Sequence, residues 1–308
     1  MMNAVRLHAP GGRPEQLVYE QVETPRPGAG EALVRVHAAA ITRDELTWPV
    51  DRLPAIPSYE LSGVVAALGP GVTGLAVGDE VYALSPFDRD GAAADYIAVP
   101  AHLLAPKPAT LGHIESAAIP LAALSAWQAL FSHGQLAAGQ RVLVHGAAGA
   151  VGGFAVQLAH QRGAHVIGTA SAANLPAARQ AGADEVIDPA TTPFEQAVAP
   201  VDLVVDTAGG DRLARSPAVI RRGGRLVSVA SQPSEESAAA RGITAVYFVV
   251  VPDRAQLVEL ARLADSGQLR PTIDQVFPLA DARQAFERSL GHHPPGKIVL
   301  RVTGEPNA

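Results

Sequence analysis

The chain has no cysteine, which removes disulfides, Cys-ligated zinc, iron–sulfur clusters and thiol nucleophiles together. Charge is sparse as well: Asp, Glu, Lys and Arg make up 18% of residues, and the formal net charge is −6. Without a long Lys/Arg run there is no dense cationic surface for a nucleic-acid backbone, so nucleic acid is not an expected partner. No segment reaches the roughly 18 uninterrupted apolar residues of a membrane helix. The opening MMNAVRLHAP has no apolar signal-peptide core, so the expected location is the cytoplasm. Ten histidines are present, but in no HExxH or comparable ligand pair. Adjacent His292 and His293 face different directions in most backbone states, and no metal is expected there.

What is present describes a packed globular protein. At 308 residues, 48% of them hydrophobic, the chain is long enough for two domains with a large core. From about 1 to 118, short strands (EALVRVHAAAI, SGVVAALG, DEVYAL, ADYIAVP) are cut by the turns GPGVTG and AVGD, a mainly β, barrel-like pattern. ESAAIPLAALSAWQALFSHG carries apolar residues at helical spacing and stops at Gly134. From about 140 to 250, apolar strands alternate with helices: RVLVH and a helix to Gln161, HVIGTA and a helix near NLPAARQAG, EVID, DLVVDT with a helix into IRR, and RLVSVA. That alternation predicts a doubly wound α/β domain with a parallel sheet. SQPSEESAAARG reads as a polar, mobile loop. AVYFVVV, two helices and the strand KIVLRV close the chain.

In VLVHGAAGAVGG a strand breaks into small residues and then into a helix. Gly146, Gly149 and Gly152 are spaced G-x-x-G-x-x-G, one residue wider than the usual dinucleotide fingerprint. Strand, glycines, helix and second strand nevertheless follow in the order a pyrophosphate site requires; a tight turn that binds nothing is the plain alternative. An acid at the end of the second strand would hold the ribose hydroxyls of NAD and repel a 2′-phosphate. Thr169-Ala170-Ser171-Ala172-Ala173-Asn174 has none, which favours NADP. Ser171 and Asn174 are the candidate phosphate contacts, with Arg179 nearby; capping and turn formation are their structural alternatives.

These segments resemble the zinc-independent quinone oxidoreductase and enoyl reductase branch of the medium-chain dehydrogenase/reductase superfamily. PGAGEALVRVHAAAI, SGVVAALGPGVTGLAVGDEVYAL, GQRVLVHGAAGAVGGFAVQLA, GADEVID, GGRLVSV and GKIVL are similar to its signatures, in order and over almost the whole chain. The resemblance implies a GroES-like catalytic domain from residues 1–118 and 252–308, a Rossmann NADP-binding domain over 119–251, and a cleft where nicotinamide meets substrate. It also implies a homodimer through the sheet edge AVYFVVV. Gly149, Ala150 and Val151 are expected to contact pyrophosphate. Ser125 and the backbone near Phe248 and Val250 are expected to approach nicotinamide, and Lys297 to reach the cofactor or to stand as a solvated cation starting a strand.

The departures are informative. Ala150 replaces a glycine of the family's AAGGVG. Tyr59 stands where zinc-dependent relatives have the His of GHE, and no Cys is available to join it, so neither a catalytic zinc nor the four-cysteine lobe is expected. Thr42 stands about where many quinone reductases have Asn. Without a Lewis acid, alcohol oxidation loses its usual alkoxide stabilisation, whereas a quinone or an α,β-unsaturated carbonyl delocalises charge onto an oxygen that a hydroxyl can meet. Thr42 and Tyr59 are the candidate catalytic donors, with ending a strand and packing against a loop as their structural alternatives. Trp48 and Tyr59 could wall a site for a flat ring. The expected activity is NADPH-dependent reduction of a quinone or enone. An enoyl-thioester reductase and a non-catalytic NADPH-binding protein, like the crystallin relatives, remain alternatives.

Overall fold

The computed structural model describes residues 1–9, 11–49, 52–291 and 293–303; His292 lies outside them, as do Val50 and Asp51. The chain forms two compact units, one from Met1–Leu121, Pro252–Gly267 and Pro271 onward, the other from Ala122–Val251 with Gln268–Arg270. Its strands are β1 (Met2–Leu7), β2 (Leu17–Val22), β3 (Glu31–Ile41), β4 (Glu60–Leu68), β5 (Glu80–Leu84), β6 (Tyr96–Pro100), β7 (Ala105–Pro106), β8 (Arg141–His145), β9 (His165–Thr169), β10 (Glu185–Ile187), β11 (Val201–Asp206), β12 (Ile220–Ser228), β13 (Thr244–Tyr247), β14 (Ile273–Pro278) and β15 (Lys297–Arg301). Among the described residues no helix is long and apolar enough to cross a membrane.

In the first unit β3 is the spine of a sheet ordered β14-β15-β3-β4-β5-β7, with β6 also paired to β3. Along its first half Ala32, Val34 and Val36 are buried while Arg35 is exposed, the period-two pattern of a strand with one covered face. From Ala38 to Ile41 every residue is buried. There the helix His113–Ala117 covers the other face, with Ala117 and Ala118 packed on Ala38, Ala40 and Val299. On the opposite side the β1–β2 hairpin and the helix Ala282–Leu290 enclose a core around Phe286, Leu7 and Leu300.

The second unit is a parallel sheet ordered β10-β9-β8-β11-β12-β13. The order reverses between β8 and β11, and such a switch point opens a crevice at the carboxyl ends of the strands. Because the strands are parallel, the segments leaving β8, β9, β11, β12 and β13 all emerge at one edge.

Several elements differ from the sequence expectation. The helix read over 115–134 is broken: it stops at Ala117, restarts as Pro120–Trp127 and continues as a π-helical turn over Gln128–His133. Pro120 has no N–H to donate and is accommodated at a helix start. The helix before IRR ends earlier, because Ile220 already opens β12. SQPSEESAAARG contains a helix, Glu235–Arg241, capped by Ser234 Oγ accepting from the Ser237 N–H at 3.1 Å and closed by Gly242 at φ +65°. β13 ends at Tyr247, so only the first part of AVYFVVV is strand. β1, β2 and β14 were not anticipated.

Candidate active site

Each glycine after β8 has its own task. Gly146 turns the chain at φ +74°, a conformation that L side chains rarely adopt. A Cβ on Gly152 would stand 2.1 Å from the Gly146 carbonyl oxygen, so Gly152 is required for the helix to lie on the turn. At Gly149 the same atom would meet Gly146 O at 3.2 Å, a tight contact but not a forbidding one. Gly149 is the N-cap of the helix Ala150–Gln161 and has no side chain to satisfy its first N–H groups. Gly149 is exposed and Ala150 and Val151 half-buried, leaving an open helix N-terminus at the switch point. That cradle fits a diphosphate, held by the first-turn N–H groups and the helix dipole.

Beyond β9, Ser171 is exposed and its side chain makes no cap hydrogen bond, while its carbonyl accepts from the Asn174 N–H at 2.8 Å. Asn174 is half-buried and Arg179 exposed. At the end of β11 the fully buried Asp206 accepts from the Gly209 N–H at 3.0 Å and from the Ser228 hydroxyl at 2.9 Å. Burial holds this carboxyl above its ordinary range, opposed by those hydrogen bonds. Asp206 ties the loop after β11 to β12. Ser125 is buried in the helix Pro120–Trp127, Val250 is buried and Phe248 half-buried.

In the first unit, register brings distant charges together. β15 pairs with β3 so that Ile298 faces Ile41, and β4 pairs with β3 so that Glu60 faces Ala40. Lys297 and Glu60 therefore flank the end of β3, just where Thr42 begins the following loop. The Lys297 ammonium donates to Glu60 Oε1 and, at 3.4 Å, to Thr42 Oγ1. Glu60 Oε2 accepts from the Leu121 N–H at 2.9 Å. Lys297 is 5% exposed and is not the solvated cation of the sequence alternative. Glu45 completes the cluster, accepting from the Thr42 N–H at 2.8 Å and the Ser58 N–H at 2.9 Å. Burial pushes its carboxyl up to about 8; the Thr42 hydrogen bond and the Lys297 charge oppose the rise, and the Glu60 charge adds to it.

Tyr59 sits beside this cluster in an aromatic group. Its ring stacks on Trp48 at 5.9 Å and 20°, and Phe87 stands edge-on to Tyr59 at 5.1 Å and to Trp48 at 5.3 Å. Backbone strain helps to aim it. Ser58 is a buried non-glycine residue at φ +71°, held by its hydroxyl donating to Ala40 O at 2.7 Å and by its carbonyl accepting from the Ala92 N–H. Among the described residues no three His, Asp or Glu side chains gather as a metal site.

Thr42 and Lys297, assigned separate roles from sequence, are thus in contact. Glu45, Glu60 and Asp206 were missed. The only local signal for Glu60 was an acid opening an otherwise apolar strand; Glu45 carries none, because its burial comes from loops closing over it.

Comparison with known proteins agrees with this architecture. Residues 28–109 match the family described as "Alcohol dehydrogenase GroES-like domain", and residues 181–300 match "Zinc-binding dehydrogenase". The chain is 33% identical to a probable mitochondrial zinc-binding oxidoreductase of Arthroderma benhamiae, covering 93% of each. It is 28% identical to the human mitochondrial NAD(P)H oxidoreductase RTN4IP1, over 88% of this chain and 82% of that one. The solved quinone oxidoreductase of Coxiella burnetii superposes with a TM-score of 0.92 at 30% identity, over 98% of this chain and 99% of that one. The chain belongs to the quinone oxidoreductase-like branch of the medium-chain dehydrogenase/reductase superfamily. It is an NAD(P)H-dependent oxidoreductase. Within this oxidoreductase the first unit carries the GroES-like segment, and the second is the Rossmann-like sheet on whose switch point the glycine cradle lies.

Proposed function

We propose that this oxidoreductase reduces quinones or α,β-unsaturated carbonyl compounds with NADPH and without zinc. The observation that carries the reading is the donor set around Thr42: a hydroxyl backed by a buried ammonium, beside the buried carboxyl groups of Glu45 and Glu60, in a chain with no thiol. This set does not fit a catalytic zinc, which takes thiolate, imidazole or carboxylate ligands: the carboxylate of Glu60 is engaged by Lys297 and the carboxyl of Glu45 by the Thr42 and Ser58 N–H groups. It does fit an acceptor whose oxygen gains negative charge.

A bound dihydronicotinamide supplies the hydride, and the protein does the rest. Lys297 donates into Thr42 Oγ1, so the Thr42 hydroxyl keeps its own proton for donation to an acceptor oxygen. Hydride on a quinone or enone leaves one anionic oxygen; one proton passed on by Thr42, and replaced on its oxygen from the Lys297 ammonium, completes the reduction. The stacked Trp48 and Tyr59 rings offer an apolar face to a flat conjugated acceptor. NADPH is favoured over NADH by the absence of an acid after β9, by the uncommitted Ser171 hydroxyl and by exposed Arg179.

Titration with NADPH and with NADH, followed by a panel of quinones, enones and alcohols, tests the reading. The expected result is NADPH binding at least about tenfold tighter, a difference of about 1.4 kcal/mol, with oxidation by quinones or enones that chelators leave unchanged. Preference for NADH, or zinc-dependent alcohol oxidation, would overturn it.

A further inference from the structure

The π-helical turn Gln128–His133 follows directly on the helix that carries Ser125. Such turns are rare and accumulate where a side chain must be aimed. Here two side chains from one turn grip one segment. The Gln128 amide, 3% exposed, accepts from the Val251 N–H at 3.1 Å and donates to Val251 O at 2.9 Å. Five residues on, the His133 ring lies 4.4 Å from the Phe248 ring, tilted by 36°.

The gripped segment needs a holder. β13 ends at Tyr247, and the Phe248 N–H makes a last backbone bond to Ser228 O at 3.3 Å. Val249 and Val251 are each 60% exposed, while Val250 is turned inward at 8%. Both backbone groups of Val251 are met by the Gln128 amide. The primary amide both donates and accepts there; a carboxylate would lose the donation and an apolar side chain would lose both.

The position of this segment gives the clamp a use. It emerges at the sheet edge that bears the glycine cradle. A dinucleotide centred on the switch point lays its adenosine half over β9, on the Ser171 side, and its other half over β11, β12 and β13. We propose that Gln128 and His133 are positioning residues that hold residues 248–251 in the shape that receives the nicotinamide half of the cofactor. The inference rests on the NADPH reading above.

The test compares full-length wild type with Gln128→Met and His133→Leu. Hydrogen exchange follows the Val251 amide, and binding is titrated with NADPH and with 2′,5′-ADP, which carries the adenosine half alone. Gln128→Met should lose Val251 protection and weaken NADPH binding about tenfold or more, with 2′,5′-ADP binding unchanged. His133→Leu should weaken NADPH selectively by a smaller factor. Unchanged NADPH affinity despite lost protection would overturn the proposal and leave the cofactor reading intact. Equal loss of both ligands in Gln128→Met, with unaltered NADPH binding in the folded His133→Leu variant, would also overturn it. Wild type that binds 2′,5′-ADP and NADPH equally well would show that the nicotinamide half is not held; wild type that binds neither would overturn the cofactor reading as well.

Discussion

Lys297 and Glu60 form a buried ion pair across the end of β3, 237 residues apart in sequence. A buried pair contributes little over an apolar replacement, but removing one partner strands the other. Lys297→Met should therefore cost about 3–5 kcal/mol. Adding Glu60→Gln, which keeps an acceptor for the Leu121 N–H, should recover most of that loss. Urea unfolding of the single and double variants checks the difference; equal destabilisation would mean that the charges are not coupled.

Glu45 gives stability a slope that is unusual for an acid. Its folded-state value of about 8 lies above the ordinary 4.5, so the unfolded chain loses this proton first as pH rises. The contribution of Glu45 is complete below pH 4.5 and is lost as pH climbs to about 8. Glu45→Gln should remove that decline, measured as unfolding free energy against pH; a variant that keeps the wild-type slope would show that Glu45 is ionised in the fold.

His145 works in the opposite sense. Ser216 donates to Arg212 O at 2.7 Å and so accepts from His145 Nε2 at 3.0 Å, while Nδ1 faces the Thr169 hydroxyl at 3.0 Å. The network holds a neutral imidazole, and burial, with Arg212 and Arg215 nearby, pulls its value from 6.5 down to about 3. Its stabilisation is full above pH 6.5 and is lost as pH falls toward 3. His145→Gln should lower stability at neutral pH and flatten the acid limb of thermal melts.

The glycines after β8 should separate sharply. Gly152→Ala forces a methyl to 2.1 Å from the Gly146 oxygen and should abolish dinucleotide binding or destabilise the second unit by several kcal/mol, of the order of severe overpacking. Gly153→Ala meets only an ordinary 3.9 Å contact and should gain up to about 1 kcal/mol of helix propensity. Melting curves with and without NADPH distinguish the two.

β13 is an edge strand ending in the exposed Tyr247. If the homodimer implied by the family resemblance forms there, Tyr247→Lys should shift the mass in light scattering from dimer to monomer, because a lysine on an edge opposes strand pairing.

What was legible in the sequence was local. β3 was read over its full span because an alternating first half and an all-apolar end run unbroken between Gly30 and Thr42, and the glycine cradle because turn, helix start and strand are contiguous. Ser234 and Gly242 were equally plain cap signals, yet the polar composition around them masked a helix. The charged cluster was not legible, because Glu45, Glu60 and Lys297 come from a loop and two strands that meet only through β3. The grip of Gln128 on Val251 was hidden for the same reason, across 123 residues.

The first unit is made from both ends of the chain, whereas almost all of the second lies between them. During synthesis the central unit is nearly complete when residue 251 emerges, but β15 has yet to be made. At roughly 5–20 residues per second, the carboxylate of Glu60 precedes its ammonium partner by about ten to fifty seconds. The buried charge cluster beside Thr42 therefore closes only once β15 has been made, so that a chain cut short after residue 251 holds the glycine cradle without the ammonium that meets the Thr42 hydroxyl.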